Sequence, residues 1–168
     1  MKCIHESGYC HKDLSLSNIF LDENYEPKIG DFGAAMKNNN DLKEFIGTRE
    51  FKAPEIIKKI AHDGQKADIF SLGQILIYLV FGKKGFDIAH ISDPMYKLII
   101  EKDKKEKKEE IEECLNNYWE KMRTYIGIEN VIISEEFKDL YMKMVCEDPL
   151  KRLNINEILE HPWIFFIF

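Results

Sequence analysis

Arginine is nearly absent: Arg49, Arg123 and Arg152 stand against 21 lysines in a chain of 168 residues. Even with the lysines, acidic residues outnumber basic ones and the net charge is -6 at pH 7. No basic surplus is left to neutralise phosphates, so nucleic acid is excluded as an expected partner. Cysteine is also sparse. Cys3, Cys10, Cys114 and Cys146 are scattered without a C-x-x-C pair, which argues against a zinc site or a disulfide framework and for reduced thiols. The start, "MKCIHESGYC", has no apolar run long enough for a signal peptide. The most apolar stretch, Ile69 to Phe81, is too short to span a bilayer and contains Ser71 and Gln74, so no membrane partner is expected. Internal repeats are missing as well. These absences together predict a cytoplasmic protein.

What is present is a globular composition, with 45% apolar residues and enough length for one domain with its own core. Residues Met1 to Gly8 read as the end of a helix stopped by glycine. Ile19–Leu21 and Lys28–Ile29 are short apolar runs joined by the turn-rich "DENYEP" and predict a small hairpin. Asp31 to Phe51 has little periodicity and reads as a long loop, of a length that is usually functional. From Ala67 the pattern is helical, and apolar residues from Ile69 to Phe81 cover nearly every side, predicting a helix in the middle of a core. Asp93 followed by Pro94 opens another helix, Ser134 caps the next, and Asn154 with Glu157 has capping-box spacing before a last helix ended by Pro162. Between them, Glu101 to Glu113 alternates in charge at spacings that allow pairs such as Glu101 with Lys105, and reads as a solvated helix or tether. The expected class is mainly α with a small β element near the N-terminus.

The chemistry-bearing residues cluster early. "HKDLSLSN" places Asp13 five residues before Asn18, and Asp31-Phe32-Gly33 follows closely. A carboxylate at Asp13 can accept a hydrogen bond from a hydroxyl and orient it. Asn18 offers a neutral oxygen and Asp31 an anionic one, both suited to a hard divalent cation such as Mg²⁺. Gly33 allows a sharp turn just after Asp31. Taken singly, each also has a structural reading: Asp13 or Asp31 as a helix cap or surface carboxylate, Asn18 as a turn residue, Phe20 as core. The histidines His5, His62, His90 and His161 have no metal-ligand spacing.

Read in order, these motifs resemble the C-terminal lobe of a eukaryotic protein kinase. Asp13 and Asn18 match the H-R-D-x-x-x-x-N catalytic loop, Asp31-Phe32-Gly33 matches D-F-G, and Ala53-Pro54-Glu55 matches A-P-E. Asp68 to Gly73 is similar to D-x-W-S-x-G, and His161-Pro162-Trp163 resembles the common end of the domain. The resemblance implies γ-phosphoryl transfer from ATP with Mg²⁺ to a protein substrate. Asp13 is then the base, Asn18 and Asp31 the metal ligands, and Phe20 the apolar floor beneath adenine. Thr48, in the G-T-x-x-Y/F-like "GTREF", would contact Asp13 and points to Ser/Thr substrates. Asp68 would hold the catalytic-loop backbone, and Arg152 would pair with Glu55. The cadence of "SEEFKDLYMKMVCEDPLKR" is similar to the calcium/calmodulin-dependent kinase-like group.

Three departures qualify the resemblance. No glycine-rich loop and no strand lysine precede Asp13, so residues 1–163 are expected to be a partial domain lacking its N-terminal lobe or upstream chain, with 164–168 an apolar tail. The isolated chain is expected to be inactive and to bind ATP no more tightly than about millimolar, with apolar surface uncovered around Phe20 and Phe32. Ser15 and Ser17 occupy the places where the family keeps a cation that reaches the transferred phosphate. Lys12 replaces an arginine that often receives an activation-loop phosphate, while residues 34–47 contain no Ser, Thr or Tyr. A missing phosphate receptor and a missing phosphosite agree, predicting no phosphorylation switch there. The alternative is a lobe-only pseudokinase acting as a protein-binding module.

Overall fold

A computed structural model describes residues 1–39, 41–127 and 132–165 of the chain. Its organising element is helix α3, Gly64–Phe81; ahead of it lie α1 (Lys2–Glu6), strands β1 (Tyr9–Cys10), β2 (Ile19–Leu21), β3 (Pro27–Ile29) and β4 (Met36–Lys37), and α2 (Pro54–Ile57). Behind it follow α4 (Pro94–Asp103), α5 (Lys108–Ile126), α6 (Glu135–Met144), α7 (Ile155–Leu159) and α8 (Pro162–Phe165). The described residues are therefore mainly helical, with strands confined to the N-terminal part. No described helix is long and apolar enough to cross a membrane.

Helix α3 begins three residues before the expected Ala67. Asp63 supplies the reason: its Oδ1 accepts from the amides of Gln65 at 2.8 Å and Lys66 at 3.2 Å, which fixes the start at Gly64. Gly64 itself is required by proximity, since a Cβ there would sit 2.4 Å from Cys10 Sγ. The helix is buried along most of its length, with Ile69, Phe70, Ile75 and Ile77 almost inaccessible. The sequence reading is corrected at its C-terminal end, where Leu79 and Val80 are exposed and the last turn leaves the core. Around α3, an aromatic cluster of Phe70, Phe86, Tyr96, Tyr118, Trp119, Phe137 and Tyr141 joins α4, α5 and α6.

The expected caps are in place. Asp93 accepts from the amides of Met95 and Tyr96, Ser134 from that of Phe137, and Asn154 forms a full capping box with Glu157. The hairpin is also found, with Ile19 opposite Ile29 and Leu21 opposite Pro27. Other expectations need correction. The segment 31–51 is not a plain loop: β4 within it pairs antiparallel with β1, and Leu42 bridges His62. The charged stretch 101–113 is not one solvated element, because α4 ends at Asp103, a turn intervenes, and α5 starts at Lys108. Glu101 pairs with Lys97 at 3.7 Å, and Lys105 pairs with Glu110 at 3.4 Å, so the Glu101–Lys105 pair is not formed. Helix α5 then runs on to Ile126 and buries Tyr118, Trp119 and Met122. Finally, α7 ends at Leu159, and Pro162 starts α8 instead of ending the preceding helix. Of the apolar tail, residues 166–168 lie outside the described residues, while Ile164 packs beside Ile69, Leu140 and Met144.

Candidate active site

The loop between β1 and β2 carries Asp13 and is held from below by one buried carboxylate. Asp68 of α3 accepts from the backbone amides of His11 at 2.7 Å and Lys12 at 2.8 Å, and contacts His5 Nε2 at 3.0 Å. Hydrogen bonds to an ionised acceptor are the strong kind, so the loop is anchored to the core helix. Lys12 is thereby held at φ +68°, a left-handed conformation that non-glycine residues rarely take. The expectation that Asp68 holds this backbone agrees with the geometry.

Asp13 is half-buried at the loop's tip. Its Oδ1 accepts two hydrogen bonds from Thr48, one from the amide and one from Oγ1, both at 2.8 Å. Its other carboxylate oxygen has no protein donor among the described residues. Asn18 is buried and donates from Nδ2 to the Asp13 carbonyl at 2.8 Å. That bond fixes the amide and leaves Asn18 Oδ1 without a donor among the described residues.

Asp31 is brought to the same place by the β2–β3 hairpin. Gly30 donates its amide to the Asn18 carbonyl at 2.9 Å, and His11 Nε2 lies 2.9 Å from the Gly30 carbonyl. The rings of His11 and Phe32 meet with centroids 5.1 Å apart. Asp31 is exposed and left-handed at φ +55°, and its Oδ1 accepts from the Gly33 amide at 3.3 Å. A Cβ at Gly33 would sit 3.2 Å from that oxygen, so glycine leaves the carboxylate room.

Phe20 is 54% exposed and Phe32 is 51% exposed. The Phe20 ring packs against Gly30, where an added Cβ would meet it at 2.7 Å. Tyr9 and Leu21 are exposed as well. Ser15 is buried: it is 1% exposed and its hydroxyl lies 2.8 Å from that of Ser17. The predicted residues Asp13, Asn18, Asp31 and Thr48 are thus linked by direct bonds or through Gly30. Phe20 borders them, and Ser15 sits beneath.

Several contributors escaped the sequence reading. His11 bridges the two motifs, although its place at the head of "HKD" is a signal for it. His5 is a buried partner of Asp68. Gln65 Nε2 donates to the carbonyls of His5 at 2.8 Å and Tyr9 at 3.0 Å, tying α1 and β1 to α3. Glu44 meets the buried Lys12 ammonium at 3.3 Å. Backbone amides, its own first, together with Lys12, hold the Glu44 carboxyl below the usual range. Below the site, the Glu55–Arg152 pair is bidentate at 2.6 and 2.7 Å and buried on both sides. Burial pushes the Cys10 thiol up to about 12.

Comparison with known proteins places the chain in a family. The protein kinase domain family matches residues 1–164. A probable serine/threonine-protein kinase of Dictyostelium discoideum is 34% identical over 161 residues, covering 95% of this chain and 16% of its own length. Sperm motility kinase 2B of Mus musculus is 30% identical over 166 residues, covering 98% of this chain and 29% of its own. Protein kinase kin1 of Schizosaccharomyces pombe is 30% identical over 163 residues, covering 96% and 16%. The chain therefore spans less than a third of the length of each of these relatives. Over nearly all of its 168 residues, it belongs to the protein kinase domain family.

Proposed function

We propose that this chain is the C-terminal lobe of a serine/threonine protein kinase, contributing the catalytic loop and metal ligands for phosphoryl transfer from ATP to a protein hydroxyl. The observation that carries the reading is the Asp13 carboxylate: one oxygen is fully engaged by Thr48, and the other has no donor among the described residues. A carboxylate so oriented can accept a hydrogen bond from the attacking hydroxyl and align it, which is most of what this chemistry asks of a protein base. Thr48 positions Asp13. Asn18, pinned through its Nδ2, turns its oxygen away from the bonded side, and Asp31 has the room that Gly33 leaves it.

One amide oxygen and one carboxylate suit Mg²⁺, which keeps waters and phosphate oxygens in its shell and needs few protein ligands. When bound, Mg²⁺ and ATP supply the transferred phosphate and offset its charge; the chain's own part is orientation. Phe20, exposed beside Asn18, would take the adenine face. Ser15, buried and neutral, offers no cation, so compensation of phosphate charge falls to other groups.

The whole reaction requires the upstream part of a kinase domain. The isolated chain is expected to bind Mg-ATP no more tightly than about millimolar, which is roughly -4 kcal/mol. Isothermal titration checks this, and a submicromolar affinity would overturn the single-lobe reading. Transfer of labelled phosphate to a Ser/Thr peptide by the full-length transcript product, abolished by Asp13→Asn, tests the enzyme reading directly. The second reading, a lobe-only pseudokinase that binds another protein, is favoured by the buried, neutral Ser15 and by the exposure of Phe20 and Phe32. It takes the lead if that full-length product transfers no phosphate.

A further inference from the structure

The Lys12 side chain is completely buried, although it ends in an ammonium group. Such a charge is retained in a protein interior only when it is paired. Among the described residues the one carboxylate within 4 Å of its Nζ is Glu44, at 3.3 Å; the other close contact is Met36 Sδ at 3.5 Å, a weak acceptor. Glu44 comes from the segment between β4 and α2, and Lys12 is fixed from the opposite side by Asp68. The segment thus reaches the catalytic loop at three successive places. Glu44 meets the Lys12 ammonium. Gly47, at φ +118°, packs where a Cβ would lie 2.8 Å from the Lys12 carbonyl oxygen. Thr48 then donates twice to Asp13.

Of these three contacts, the first brings an ionic attraction to the near edge of the segment. Residues 34–47 contain no Ser, Thr or Tyr, so no phosphate ester can form there to supply negative charge. We propose that Glu44 is a positioning residue: a permanent carboxylate that fastens the segment onto Lys12, so that Thr48 rests on Asp13 without any covalent switch. The catalytic meaning of this fastening rests on the reading of Asp13 as the base, whereas the fastening itself does not. A partner-free ammonium inside the protein would be costly, so the pair biases the segment toward its docked arrangement whenever Glu44 is charged.

Hydrogen–deuterium exchange of the 168-residue chain, read by mass spectrometry, tests the proposal without an activity assay. In Glu44→Gln, amides of residues 42–52 are expected to exchange ~10-fold faster or more, while those of α6 stay as in the unaltered protein. Glu44→Asp, which keeps the charge on a shorter arm, should recover part of the protection. In a Lys12→Met background, Glu44→Gln should have no further effect, because its partner is already gone. The proposal is overturned if Glu44→Gln leaves residues 42–52 unchanged, or if it accelerates them equally with Met at position 12. Since no phosphotransfer is measured, an inactive kinase would not produce either result, and failure here would leave the role of Asp13 untouched.

Discussion

Replacing Glu55 by glutamine should cost this domain a large part of its stability. Arg152 is 2% exposed and uses all five of its N–H groups. Two go to the Glu55 carboxylate at 2.6 and 2.7 Å, and three go to the carbonyls of Cys146, Lys66 and Glu147 at 2.7, 3.1 and 3.3 Å. The guanidinium also lies 5.0 Å from the centroid of Phe70. Glutamine has the shape of glutamate but turns an NH₂ toward a donor and leaves the guanidinium charge uncompensated. Breaking a buried pair this way costs ~3–5 kcal/mol, against a total of ~5–15 kcal/mol for a typical domain. At ~2–4 °C per kcal/mol for a chain of this size, the melting midpoint should fall by about 6 to 20 °C. Arg152→Lys keeps the charge but cannot reach five acceptors; two unmet carbonyls at ~1–3 kcal/mol each give a loss of about 2–6 kcal/mol. Urea unfolding followed by circular dichroism measures both. A loss below about 1 kcal/mol for Glu55→Gln would show that the pair is not the buried, fully bonded unit described, and the reasoning would fail.

Four further outcomes are expected. Asp68→Asn removes an ionised acceptor of two loop amides, and at ~1.5–3 kcal/mol for such a bond should lower stability by a few kcal/mol and loosen the loop around Asp13; unchanged urea unfolding would contradict it. Ser134→Ala and Asn154→Ala each remove a side-chain helix cap and should cost ~1 kcal/mol apiece, additively since they cap different helices. At pH 8 a thiol reagent should label exposed Cys3 and spare buried Cys10 and Cys146, whose thiols burial pushes up to about 12 and about 11. The sign follows from linkage: the folded state binds these protons more tightly than the unfolded state, near 9, so stability should fall as pH climbs from about 9 toward 11 and 12. A pH-independent urea midpoint across that interval would count against it.

Local chemistry was readable in the sequence, and long-range chemistry was readable only through the family resemblance. A cap such as Asp93 or Ser134 acts within three residues, so its signature sits beside the helix it starts. The Glu55–Arg152 pair joins positions 97 residues apart, and no periodicity could announce it; the ordered motifs did. Helix α5 was hidden because its first turns are a run of Lys and Glu, while the residues that bury it, Tyr118, Trp119 and Met122, come only afterwards. The start of α3 was missed because Gly64, Gln65 and Lys66 carry no apolar period and only the Asp63 cap defines them. Of the candidate site, Asp13, Asn18, Asp31 and Thr48, which the motifs single out, are brought together by the fold. Glu44 was invisible because one acid in a charged loop carries no pattern, and its partner is buried 32 residues earlier in the chain.

The anchoring of the catalytic loop by Asp68 has a consequence for the order in which the molecule assembles. His11 and Lys12 precede Asp68 by 57 and 56 residues, so the loop emerges during synthesis long before the group that shapes it. Closing a contact of that span costs chain entropy that only a docked α3 can repay, since Asp68 acts from inside that helix. The loop therefore takes its shape only once α3 is in place. Nascent chains that stop before α3 would carry the full HKD motif without the carboxylate that shapes it.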